Sequence, residues 1–132
     1  MSVKKTKILN YVSKDYLTFP SNISNASALK QFKKTDLTEA YFTDKDNRYL
    51  GKLKLTKILN TDGNSITCKE KKHIKIRPEQ SINEIMNVLQ NFVGESIPVI
   101  DKNNKLIGVI SENDVLKAYD EITKIIRNIE KN

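Results

Sequence analysis

The chain has 132 residues and a mass of 15.1 kDa, room for one domain or two very small ones. Apolar residues make up 38% and charged residues 30%, with a net charge of +7; no apolar run approaches the ~20 residues of a membrane-spanning helix, and Met-Ser-Val-Lys-Lys leads into no apolar signal core. One cysteine, Cys68, and one histidine, His73, exclude an intramolecular disulfide, a cysteine-rich zinc site and histidine-based triads or metal pairs.

The expectation is a soluble, cytoplasmic chain with no enzymatic vocabulary. Residues 1–66 carry 12 Lys/Arg and 6 Asp/Glu, residues 67–132 carry 11 and 10, so the positive excess lies in the first half. Of the 23 basic residues 20 are lysines, whereas single-stranded nucleic acids are gripped by basic grooves with aromatics or arginines for stacking. The densest run, Lys69–Arg77, is broken by Glu70 and then alternates like a strand with one solvated face. The charge is assigned to solubility, and no nucleic-acid partner is expected.

In chain order, Leu17-Thr18-Phe19-Pro20 is a short strand ending at proline, and Ala28, Leu29 and Phe32 begin a helix stripe. Ala40-Tyr41-Phe42-Thr43 is a second strand; Asp44 to Asn47 make a turn into a third strand around Gly51. Residues 61–72, with the turn signal Asp62-Gly63, form a connector. His73 to Arg77 alternate into Pro78 as a short edge strand. Ser81-Ile82-Asn83-Glu84 is a capping box, in which the serine oxygen accepts from first-turn amides and the glutamate reaches back. Ile82, Ile85, Met86, Leu89 and Phe92 then form one apolar helix stripe, with Gly94 as its stop. Ile97-Pro98-Val99-Ile100 and Leu106-Ile107-Gly108-Val109-Ile110 have strand length, and Asp101 to Lys105 join them as a hairpin turn in which asparagine can take positive φ. Ser111-Glu112-Asn113-Asp114 opens a long helix whose Val115, Tyr119, Ile122, Ile126 and Ile129 form an apolar seam, open to use as core, dimer contact or junction to a membrane domain.

These elements repeat. With Gly51 placed on Gly108, an offset of 57 residues brings Asp44 to Asp101, Lys45 to Lys102, Asn47 to Asn104 and Leu59 to Leu116. Ala28, Leu29 and Phe32 fall on Ile85, Met86 and Leu89, and a one-residue gap brings Pro20 to Pro78. Two units are too few for a solenoid. They fit an α+β fold of two pseudo-symmetric β-α-β-β-α units, residues 1–62 with the N-terminal lead-in and residues 63–132 with the connector and the C-terminal helix, each marginal alone.

The repeat resembles a tandem pair of cystathionine-β-synthase (CBS) domains, a Bateman module, over about residues 8–120. The likeness is carried by Ser96-Ile97-Pro98-Val99-Ile100-Asp101 and by Leu106-Ile107-Gly108-Val109-Ile110-Ser111-Glu112-Asn113-Asp114-Val115. A narrower likeness, in Asp114 to Tyr119 and in Glu39–Asp44 with Leu50–Leu53, is to the cytoplasmic CBS pairs of bacterial CLC-type chloride channels. The resemblance implies regulation without catalysis, no required cofactor, ATP, ADP or AMP as regulatory ligand in a cleft between copies, a homodimer, and a covalently linked transmembrane channel domain in the parent protein. Ser111 matches the family's phosphate position and Asp114 its ribose position, and the channel-type pairing would put Ala40 and Tyr41 near the base and Thr18 at the rim. Tyr41 stands where the family usually has proline; an aromatic there can stack on adenine or fill the slot itself. The opposite cleft would join Ile97 and Pro98 to Lys57. There Lys54 and Lys57 occupy the positions of Ser111 and Asp114, and a lysine cannot accept a ribose hydrogen bond, so at most one competent site is expected. Taken without the resemblance, Ser111 and Asp114 are explained by helix capping.

Overall fold

The computed structural model describes residues 8–59, 63–68, 74–90, 92 and 96–131, the side chains of Ile126, Glu130 and Lys131 excepted. His73, Gly94, and the connector residues 61, 62 and 69–72 lie outside the described residues. The contacts divide the chain into two compact units that are not contiguous in sequence: one draws on residues 15–73 and 102–106, the other on 1–14, 74–101 and 107–132.

The first of these units contains β1 (Leu17–Phe19), β2 (Asn22–Ser24), α1 (Asn25–Lys33), β3 (Glu39–Thr43), β4 (Tyr49–Lys54), α2 (Leu55–Leu59) and β5 (Ser65–Thr67). β1 runs parallel to β3 with Thr18 beside Tyr41 and Phe19 beside Phe42; β3 is antiparallel to β4, with Tyr41 opposite Lys52. The short strands β2 and β5 pair antiparallel in a separate ribbon, a pairing that three-residue segments do not announce in the sequence. Helix α1 starts where Ser24 Oγ accepts from Ser27 N at 3.1 Å. Its Ala28 and Phe32 turn inward onto Phe19, Ala40, Phe42, Leu53, Ile58 and Ile66, and the Phe19 and Phe32 rings meet edge to face at 5.5 Å. Each such large side chain contributes about 1.5–3 kcal/mol by leaving water.

The other unit contains α3 (Ile82–Leu89), β6 (Ser96–Ile100), β7 (Leu106–Ser111) and α4 (Glu112–Lys131). The capping box expected at Ser81 is present: Glu84 N donates to Ser81 Oγ at 3.2 Å and Ser81 N donates to Glu84 Oε1 at 3.4 Å. The helix stops at Leu89, and Phe92, read from the sequence as part of its stripe, follows on a turn in which its N–H donates to the Leu89 carbonyl at 3.1 Å. The strand expected around residues 73–77 is reduced to one parallel bridge, Ile76 to Val99. That bridge is the 57-residue counterpart of Phe19 beside Phe42. The core is Ile8, Ile76, Ile82, Ile85, Ile97, Val99, Ile110, Val115, Ala118 and Ile122.

Two sequence expectations change here. The lead-in, grouped with the first copy from its position in the chain, belongs to the second-copy elements: Ile8 is fully buried in their core, and Ser13 forms an antiparallel bridge with Val109. On α4 the inward residues are Val115, Ala118 and Ile122, whereas Tyr119 and Ile129 of the expected seam are 38% and 54% exposed. A helix advances 100° per residue, so the small Ala118, invisible to a search for large apolar side chains, sets the buried face.

Candidate functional site

Ser111 ends β7 and Asp114 lies in the first turn of α4. Asp114 N donates to Ser111 Oγ at 3.0 Å, so the serine is the N-cap of α4. The Asp114 carboxylate keeps a loose 3.9 Å pair with Lys117, at 35% exposure of its own side chain. Together they put the first turn of a helix and a partly accessible carboxylate in one place, an arrangement able to meet a phosphate and hydroxyl donors.

The lead-in packs on the same elements. Ser13 N donates to the Val109 carbonyl at 2.7 Å and Val109 N returns to Ser13 O at 3.0 Å. Lys14 Nζ donates to Ile107 O at 2.6 Å, and the Tyr11 hydroxyl donates to the Glu121 carboxylate. That bond, with the burial and negative charge around it, pushes the Tyr11 phenol up to about 12. Gly108 is required by this packing: a Cβ there would overlap Val12 Cγ1 and come within 2.9 Å of the Ser13 carbonyl oxygen. The glycine belongs to the sequence signature, but the lead-in contacts that demand it carry no sequence pattern of their own; only the Tyr11-Val12 pair beside Ile8 hints at an apolar face.

The residues named for the base lie in the other unit. Thr18 is exposed on β1 beside Tyr41. Ala40 is fully buried and Tyr41 is 1% exposed. The Tyr41 ring meets Tyr16 edge to face at 6.3 Å and lies tilted to Tyr49 at 6.1 Å, so it has two aromatic neighbours. Tyr16, missed from the sequence, is half-buried, and burial pushes its phenol up. Lys52, opposite Tyr41 on the neighbouring strand, pairs with Glu39 at 2.6 Å with side chains 13% and 8% exposed. Of the weaker set, Ile97 and Pro98 are buried on β6 and Lys57 is exposed on the five-residue α2. Lys54, at the end of β4, is exposed too. No group of three or more potential metal ligands occurs among the described residues, and no described helix is long and apolar enough to cross a membrane.

Residues 69–121 match the family model of the CBS domain. Over 56 residues, 42% of this chain, the sequence is 32% identical to an inosine-5'-monophosphate dehydrogenase of Methanocaldococcus jannaschii, of which the match covers 11%. Over 95% of this chain it is 24% identical to an uncharacterized protein of the same organism, covering 49% of it. The chain therefore spans about a tenth of one curated relative and about half of the other. Among solved structures, a CBS domain pair/ACT domain protein from Thermotoga maritima superposes with a TM-score of 0.70 at 18% identity, covering 88% of this chain and 98% of that one. The cytosolic domain of a Mg2+ channel in complex with ATP gives 0.71 at 17% identity, covering 81% and 46%. A CBS domain pair in complex with 5'-methylthioadenosine and S-adenosyl-L-methionine gives 0.66 at 18%, covering 86% and 95%.

Proposed function

We propose that this chain, which folds as a CBS domain pair, is a regulatory module that binds an adenosine nucleotide or derivative through Ser111 and Asp114. The single observation carrying this reading is the start of α4, where Ser111 caps the helix through the Asp114 amide at 3.0 Å and leaves the Asp114 carboxylate accessible. Asp114 accepts from the ribose hydroxyls, and the amides behind Ser111 face the phosphate. Two of the superposed structures are complexes with adenosine compounds, which supports the ligand class. Thr18, Ala40 and Tyr41, which belong to the other unit, enter this reading only through the family resemblance, and the burial of Tyr41 favours packing over stacking for its ring. Lys57, with Ile97 and Pro98, is assigned no productive nucleotide site, since Lys54 and Lys57 offer no acceptor.

A bound nucleotide regulates only if it binds one conformational state of its host more tightly than another. The chloride-channel parentage rests on the likeness of Asp114–Tyr119 and of Glu39–Asp44 with Leu50–Leu53; none of the proteins compared above is a chloride channel, and the host is proposed only as a protein that carries or recruits this module on its cytosolic side.

Calorimetry with ATP, ADP and AMP tests the site. Asp114→Asn keeps the shape and removes the charge, so it should weaken binding at least tenfold while leaving the fold intact. Binding that survives this substitution unchanged removes Asp114 from the site.

A second reading, a homodimerising module that ignores nucleotides, is favoured by the apolar side chains that α4 leaves in water, Leu116 at 47%, Tyr119 and Ile129. Sedimentation equilibrium giving a monomer at micromolar concentration removes it.

A further inference from the structure

Residues 8–14 lie as a strap across the two elements that carry Ser111 and Asp114. Its reciprocal bonds at Ser13 fix Val109, two residues before Ser111. Its Tyr11 hydroxyl holds Glu121, seven residues after Asp114 and therefore on the same face of α4. Ile8 anchors the strap in the core, and the contact of Val12 and Ser13 with Gly108 leaves no room for a side chain. The β7–α4 turn is thus gripped on both sides by one segment, and the same chain continues through Lys14 and Asp15 to Thr18.

Resting on the nucleotide reading above, we propose that strap docking and nucleotide binding are thermodynamically linked, with Tyr11 as a positioning residue that restrains α4 through Glu121 in its third turn. A ribose bound at Asp114 needs that carboxylate held in one place. With the strap released, the start of α4 keeps its Ser111 cap but loses the restraint on β7 and the one on Glu121. A ligand that selects the restrained turn therefore selects the docked strap, and linkage requires each to strengthen the other by the same factor. The chain that leads into the module becomes a reporter of occupancy.

The test uses the full chain and AMP and ATP as probes. Amide exchange at Ser13 and Val109 reads strap docking directly, because both N–H groups are tied up only when the strap is paired. Saturating nucleotide should slow both amides about tenfold, within the usual span of coupling between sites. Tyr11→Phe should speed the same amides and weaken nucleotide binding by a matching factor, whereas Glu121→Gln in the otherwise unchanged chain, which keeps an acceptor for the phenol, should retain most of both. Nucleotide that binds in an Asp114-dependent way with no change at Ser13 and Val109 overturns the linkage and leaves the binding site standing. A wild-type chain that binds neither AMP nor ATP overturns the binding site and the linkage together.

Discussion

Asn47 and Asn104 share one left-handed backbone conformation, φ 64° and 66°, and each donates its side-chain amide to the strand that follows the other. Asn47 Nδ2 reaches the Leu106 carbonyl at 3.0 Å and Asn104 Nδ2 reaches the Tyr49 carbonyl at 3.1 Å. The main chain repeats the exchange, Tyr49 N to Asn104 O at 2.8 Å and Leu106 N to Asn47 O at 3.0 Å. The 57-residue offset maps 47 onto 104 and 49 onto 106, so the four bonds are one pair used twice, and all four join residues of a single compact unit. Asparagine suits both places because it tolerates positive φ and carries the amide donor.

Asn104→Ala should therefore cost about 2–3 kcal/mol, combining the left-handed penalty of about 1–2 kcal/mol with a lost hydrogen bond of about 1 kcal/mol. Asn104→Gly should cost less, since glycine accepts the backbone and forfeits only the side-chain bond. Urea midpoints for the two variants, at unchanged slope, decide the ranking; equal losses would remove the backbone argument.

Asp44 closes the first of these turns. Its carboxylate accepts from the Arg48 and Asp46 amides, each at 2.9 Å, and from Arg48 Nε at 2.9 Å, and the Arg48 backbone bond leads in holding its ionisation below the ordinary 3.8. A depressed folded-state value means the stabilisation is fully present above the unfolded value and is lost as pH falls through the folded one. Carboxyl carbon shifts should show Asp44 titrating below 3.8, and Asp44→Asn should flatten the stability profile only on that acid side.

Tyr11 works in the opposite direction. Its phenol is pushed up to about 12 by the bond to Glu121, so its contribution is complete below pH 10 and disappears as pH rises through about 12. Absorbance at alkaline pH should show a late-ionising tyrosine that Tyr11→Phe removes and Glu121→Ala returns to the ordinary range.

Gly108→Ala should destabilise the fold by about 1–3 kcal/mol, the cost of forcing an extra methyl into a packed site. Val12→Ala in the same chain should recover only part of that loss, because the Ser13 carbonyl still lies 2.9 Å from the added carbon. Full recovery would mean that the side chain alone sets the constraint.

Tyr41→Ala should cost about 3–5 kcal/mol, as for other large buried aromatics, and should lower nucleotide affinity only through the loss of folded protein. Tyr41→Phe, which keeps the ring among Tyr16 and Tyr49, should leave affinity unchanged. A specific loss of binding in Tyr41→Phe would instead place its hydroxyl against the ligand.

The helices were legible where local chemistry is complete. Ser81 with Glu84 and Ser111 before Asp114 are caps whose donors and acceptors lie within four residues, and both form. The repeat was legible because the same turn residues recur at one offset. The short strands β2 and β5 were not, since three residues carry no periodicity and their pairing joins Asn22 to Thr67. Nor was the face of α4, which a small buried alanine decides. On the candidate site, the sequence named Ser111 and Asp114 but not the strap that bonds Val109 and Glu121 on either side of them, and it left Tyr41 open between stacking and filling.

What the sequence determined by itself is whatever is set by neighbours along the chain: a small, basic, cysteine-poor pair of copies, their caps and their asparagine turns. Tertiary structure alone decided which side chains are enclosed and which distant segments meet. It put Ile8 in the second-copy core, buried Tyr41 against two other tyrosines, and made Gly108 obligatory by laying Val12 on it. The reason is physical: capping and turn formation depend on bonds a few residues long, whereas burial depends on which surfaces the whole chain can remove from water at once.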